Sequence, residues 1–185
     1  MNIIVATHSG HFITRPDTTW KLNLEKIYLP EGVSSVSWTP VLFAHISRPG
    51  KGVEVRYARR YFDAFGYGVL LYPENWISAS EEGFACASCV DATSILPAPL
   101  HSLDALGSGL FRLTADGQPL FECDGMPASV LEEAVAGASS YILMRTGDFL
   151  AVELQPRSTL LAGPGSVRLQ GNFCGNETFD KNIIL

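Results

Sequence analysis

Along most of the chain, hydrophobic and polar positions alternate with the period of strands, and turn residues interrupt the pattern at short intervals. Ile3 to Ala6 predicts a short buried first strand. Val41 to Ile46 predicts another, closed by Arg48-Pro49-Gly50-Lys51-Gly52. Phe65 to Tyr72 mixes aromatic and aliphatic residues with glycines where backbones can approach closely, which predicts an interior strand ended by Pro73. The clearest local signal is Phe111 to Phe121. Two alternating arms flank Asp116-Gly117, a pair suited to the positive φ angles of a tight hairpin turn. Ser140 to Val152 predicts a strand, a turn at Gly147-Asp148 and a second strand, and further strands are expected at Val167 to Gln170 and at Asn182 to Leu185.

Helical spacing occurs twice. Glu54 to Phe62 places Val55, Ala58 and Phe62 toward one side, with Arg56, Arg59 and Arg60 largely on others. Pro127 to Ala138 opens with proline in its first turn and lines up Val130, Leu131, Ala134, Val135 and Ala138 as an apolar stripe. Many strands with two short helices packed on them give a strand-rich α+β class. No repeat or low-complexity linker divides the chain, and 185 residues suit one domain spanning 1–185.

Composition narrows the function classes. Apolar residues make up 46% and charged residues 17%, a balance that supports a large core and suggests a buried oligomer face. The net charge is −6, and the basic cluster Arg56, Arg59, Arg60 is too small for a nucleic-acid footprint. The apolar run at the amino terminus is only four residues and lacks a positive leader. Nothing approaches the roughly twenty apolar residues of a membrane span, so a cytoplasmic protein is expected. Cys86, Cys89, Cys123 and Cys174 are too few for a disulfide framework and are expected to be reduced. Cys86-Ala-Ser-Cys89 reads as two buried thiols, with zinc held by all four cysteines as the alternative.

Five pieces in order carry a resemblance: Arg15-Pro16-Asp17, Ile46-Ser47-Arg48, Ala58 to Ala64 (Ala-Arg-Arg-Tyr-Phe-Asp-Ala), Arg145-Thr146-Gly147-Asp148, and the Gly165-x-Val-x-Leu-x-Gly171 tract. Together they resemble the fumarylacetoacetate hydrolase family across nearly the whole chain. The resemblance implies a mixed β-roll, a dimer, bound magnesium or manganese, and cleavage, decarboxylation or isomerisation of acylpyruvate-type acids. In that chemistry the dication chelates the substrate oxygens and stabilises developing enolate charge.

This chain departs from the pattern where the resemblance expects the metal ligands. The Glu-x-Glu pair falls on Thr39 and Val41, and the following Asp falls on Leu70; Ser34 to Ala44 contains no acid at all. Glu31 lies too far upstream, and Glu74 stands beyond the strand's end at Pro73. Thr7 to His11 leads straight into Phe12, leaving no room for the family's lid. Glu82 stands for an expected lysine, and Val152 to Pro156 replaces a Thr-Gly-Thr-Pro loop. Arg15 takes the place of another lysine and keeps a cation suited to a carboxylate or phosphate. His8 and His11 are candidates at the pocket mouth, where His45 and His101 could join them. Arg59 and Asp63 read as a surface pair, and Asp148 as a turn residue capping backbone amides.

The expectation is therefore a pseudoenzyme without a cofactor, acting as a scaffold or binding protein through a homodimer or a heteromer with an intact paralogue. Two rivals stand beside it. One is an active hydrolase, decarboxylase or isomerase with repositioned ligands, and the other is a non-catalytic binder of small carboxylic acids.

Overall fold

Two mixed sheets enclose the main core in the computed structural model, which describes all 185 residues. The chain forms β1 (Asn2–Ala6), β2 (Phe12–Pro16), β3 (Lys26–Tyr28), β4 (Ser35–Ile46), α1 (Val55–Ala58) and β5 (Phe62–Pro73). Two short helices, α2 (Glu74–Ile77) and α3 (Gly83–Ala87), precede the two-residue strands β6 (Ser94–Ile95) and β7 (His101–Ser102). The hairpin β8 (Phe111–Ala115) and β9 (Gln118–Cys123) leads to the one long helix, α4 (Ala128–Tyr141). After it come β10 (Phe149–Glu153), β11 (Ser158–Ala162), β12 (Ser166–Phe173) and β13 (Asn176–Ile184). This is the strand-rich α+β β-roll expected from the sequence.

The larger sheet runs β2-β1-β10-β4-β5-β6, parallel only between β1 and β10. β11 adds to β4, and β7 to β5. The smaller sheet runs β3-β13-β12-β8-β9, parallel only between β13 and β3. Every residue of β4 from Val36 to Ala44 is buried, because both faces of the large sheet are covered, and this is why no two-residue period marks it in the sequence. One face packs on the small sheet and α4 through Leu42, Phe65, Tyr67, Phe111, Leu131 and Leu169. The other holds a separate cluster that includes Ile3, Val41, Phe43, Leu70, Leu96 and Phe149.

Pro40 sits inside β4, where a missing N–H ordinarily breaks a ladder. Its carbonyl accepts from Leu154 N–H at 2.9 Å. A strand residue's N and O face the same neighbour, so the one bond that proline forgoes is the reciprocal one to Leu154, at the seam where β10 gives way to β11. Across from Val41, Gly68 permits a close approach: a Cβ there would lie 2.2 Å from Ile95 O. The Asp116-Gly117 turn forms as expected, with φ of 48° and 76°.

Three expectations need correction. The helix over Glu54 to Phe62 is a single turn, because Phe62 pairs with Ile46 and belongs to β5, leaving Val55 exposed. No strand precedes Gly147; α4 continues to Tyr141, and only an isolated bridge joins Met144 to Gly50. Pro127 is the N-cap of α4, just outside its first turn, although the stripe of Leu131, Ala134, Val135 and Ala138 is buried as its spacing requires. No helix is long and apolar enough to cross a membrane.

Tyr67 supplies a pH test of the main core. Burial pushes its phenol up to about 12, while the hydroxyl accepts from Met126 N–H at 3.2 Å. The folded state holds this proton where the unfolded chain releases it, so the contribution is complete below pH 10 and is lost as pH rises toward 12. Denaturant titrations across that window are expected to show a loss of stability of which Tyr67→Phe removes a share of roughly 2 kcal/mol, the buried Tyr72 contributing separately.

Candidate functional site

Cross-strand partners share a face of a sheet, and this places the residues of interest together. Thr39 pairs with Leu70, Ser37 with Tyr72, and Val41 with both Gly68 and Glu153. Arg15 joins the same face through its pairing with Ile3. The positions where the resemblance expects ligands therefore lie side by side, but they are neutral and fully buried. Thr39 Oγ1 donates to Gln155 O at 2.8 Å, and Val41 and Leu70 belong to the second apolar cluster.

Beside this floor opens a cavity of about 420 Å³, lined by residues that include Thr7, His8, His11, Ser37, Glu74, Glu153 and Arg157. His8 and His11 reach it from the β1–β2 turn, which Thr7 braces: its N–H donates to His11 O, and its Oγ1 accepts from His11 N–H at 3.0 Å. Glu153 ends β10. Its carboxylate accepts from Tyr72 OH and from His8 N–H, both at 2.9 Å.

Arg15 is placed by the structure behind this wall, outside the cavity lining. Its side chain is fully buried, with the guanidinium 4.7 Å above the Tyr72 ring. Nε–H donates to Ser88 O at 3.1 Å, and Nη2 donates to Leu71 O and Thr93 Oγ1. Nη1 has no partner. Burial lowers the Arg15 pKa from its ordinary value, opposed by Tyr72 and then Glu153. Burial likewise pushes the Tyr72 phenol far up against the opposing charge of Arg15, so the phenol stays protonated and donates to Glu153.

The cation that does line the cavity is Arg157, between β10 and β11. Its guanidinium lies 5.2 Å from the Tyr72 ring centre and 5.1 Å from that of Phe84, and its Nε, 3.8 Å from Glu74 Oε2, makes no hydrogen bond. Glu74 in turn accepts from Ser37 Oγ at 2.5 Å. Stacked and short of a partner, Arg157 keeps donors for a planar oxyanion. Neither Arg157 nor Glu153 stood out in the sequence. The alternation Phe149-Leu-Ala-Val-Glu153 is the one signal that puts a carboxylate on this face.

The other candidates lie apart. His45 Nδ1 is 2.7 Å from Asp63, so Asp63 pairs with His45 and Arg59 instead rests on the Phe62 ring. His101 packs on Phe173 and Phe65. Asp148 accepts from Asn2 and Arg145 N–H, each at 2.8 Å, as its turn role requires. Cys86 and Cys89 are exposed at the end of α3, contrary to the buried pair expected from small neighbours. No three His, Cys, Asp or Glu side chains converge as a metal site.

No family model matches the sequence, and no curated protein does. Solved structures match it closely in fold. A fumarylpyruvate hydrolase from Pseudomonas aeruginosa, crystallised with Mn2+ and pyruvate, has a TM-score of 0.82 at 14% identity, covering 100% of this chain and 90% of its own. A fumarylacetoacetate hydrolase family protein from Yersinia pestis gives 0.80 at 15%, covering 99% and 92%. A 5-carboxymethyl-2-hydroxymuconate delta-isomerase from Mycobacterium smegmatis gives 0.80 at 16%, covering 99% and 78%.

Proposed function

On the fold that it shares with fumarylacetoacetate hydrolase family proteins, we propose that this chain binds small carboxylic acids without a divalent metal and without turning them over. The observation that carries the proposal is the floor beside the cavity. Magnesium and manganese need carboxylates or other fixed oxygens, and Thr39, Val41 and Leu70 supply one hydroxyl, already bonded to Gln155, and two aliphatic chains. Those residues do not fit the ion. Glu153 is the carboxylate beside Val41, and its oxygens already accept from Tyr72 and His8.

Binding remains supported where metal chemistry does not. The Arg157 guanidinium stands partly exposed at the cavity wall with Glu74 no nearer than 3.8 Å, and His8, His11, Thr7 and Ser37 add polar groups around it. The pyruvate of the Pseudomonas aeruginosa structure shows a small oxo-acid held on this fold. The test is thermal denaturation with a panel of small oxo- and dicarboxylic acids, in chelator and again with manganese. At a hundredfold excess over Kd, a ligand of the folded state is expected to add about 2.7 kcal/mol, or roughly 5–10 °C, in chelator alone. Arg157→Ala is expected to remove that shift. Stabilisation that requires manganese, or turnover of an acylpyruvate or oxaloacetate, would overturn the proposal in favour of an active enzyme.

A further inference from the structure

A second concave site lies on the connection between β4 and β5 and shares no residue with the cavity at Arg157. It is about 610 Å³ and lined by Arg48, Pro49, Tyr57, Arg60 and Tyr61. From the geometry we infer that this is a binding site for a small ligand carrying a diphosphate or a similar multiply charged phosphate group.

Charge is the first argument. Between Ser47 and Tyr61 the chain carries five cations, Arg48, Lys51, Arg56, Arg59 and Arg60, and a single carboxylate, Glu54, although the whole protein is net negative at −6. Of the five arginines elsewhere, three meet carboxylates: Arg112 meets Glu122, Arg157 meets Glu74, and Arg168 meets Asp180. Here only Arg56 does, through Glu54 at 2.8 Å; Arg48, Arg59 and Arg60 have no carboxylate partner. The Arg56 and Arg60 guanidiniums both rest on the Tyr57 ring, 4.7 and 5.2 Å from its centre. Gathering like charges at one ring is unfavourable in isolation, and a bound polyanion reverses the sign of that interaction. Arginine forks also match the oxygens of phosphate, and more than one unpaired fork suits more than one phosphoryl group.

Rigidity is the second argument. Ser47 N–H donates to Tyr61 O at 2.9 Å, closing the segment at its base. Gly50 and Met144 exchange both backbone bonds, while Gly52 N–H and Val53 N–H bind the carbonyl and hydroxyl oxygens of Ser139 on α4. The Tyr61 ring lies against the Gly50 backbone so closely that a Cβ there would be 2.7 Å from Cε1. The arginines therefore project from a pinned frame, which reduces the ordering that a ligand must impose.

Calorimetric titration of the full-length protein with inorganic pyrophosphate tests the site. One pyrophosphate per chain is expected, weakened at least tenfold in the Arg48→Ala/Arg60→Ala double variant and only partly weakened by Arg60→Lys. Arg112→Ala, which removes an exposed cation paired elsewhere, is expected to leave binding unchanged. All three side chains are exposed, so melting curves should confirm that each variant folds. No binding by the wild-type protein, or equal weakening by Arg112→Ala, would overturn the inference. So would a double variant that binds pyrophosphate normally, or one that alters the sedimentation coefficient of a protein that binds no pyrophosphate, which would identify the patch as a protein interface.

Discussion

Arg15→Ala is expected to lower the melting temperature by roughly 10 °C, corresponding to about 3–5 kcal/mol for breaking a buried charge arrangement in a chain of this size. Three acceptors would lose their donor at once: Ser88 O, Leu71 O and Thr93 Oγ1. Tyr72 would lose the cation on its ring, and the nearby Glu153 charge would lose its buried counterpart. Arg15→Lys keeps the charge, but one ammonium cannot reproduce a fork reaching Ser88, Leu71 and Thr93, so an intermediate loss is expected. Thermal and urea denaturation measure both variants. A loss below 1 kcal/mol for Arg15→Ala would mean that this layer is held mainly by its apolar neighbours.

Leu70→Asp is the sharper test of the floor. Leu70 is fully buried among Ile3, Val41, Phe43 and Phe149, with Thr39 as its cross-strand partner. An ionised carboxylate there is taken out of water into this apolar cluster, and a destabilisation of about 4 kcal/mol or more is expected. The sign with pH follows from desolvation. Burial raises the folded-state pKa of the new carboxyl above its unfolded value, so the deficit is smallest in acid and grows as pH rises. Leu70→Met, which conserves volume and polarity, is expected to cost less than about 1.5 kcal/mol. A Leu70→Asp protein with undiminished stability at neutral pH would show that this face is solvated and able to host charge.

Much of the architecture was legible because it rests on local chemistry. Asp116-Gly117 announced its hairpin through backbone conformation, and the α4 stripe announced its buried face through spacing. Phe65 to Tyr72 was readable for its density of large apolar residues. Ser35 to Pro40, the first half of β4, was not, because serine, threonine and proline conceal a strand whose burial comes from neighbours far along the chain. The one-turn length of α1 was hidden for a similar reason: Phe62 suits a helix stripe, but pairing with Ile46 draws it into β5.

The site divided along the same line. The neutral identity of Thr39, Val41 and Leu70 was plain in the sequence, and His8 and His11 do line the cavity. Arg15 is a fork holding the wall behind it, which depends on contacts with Ser88, Leu71 and Thr93 that no local pattern foretells. Glu153 and Arg157 acquire their positions only when β10 and β11 both align on β4, a long-range arrangement.

The most direct test of metal independence is a manganese titration followed by electron paramagnetic resonance, using the full-length protein in its carboxylate-binding buffer. The free six-line signal is expected to grow in proportion to added metal, with and without a bound acid. A saturable loss of that signal at one ion per chain, abolished by Glu153→Gln, would contradict the account and restore a metal centre to this fold.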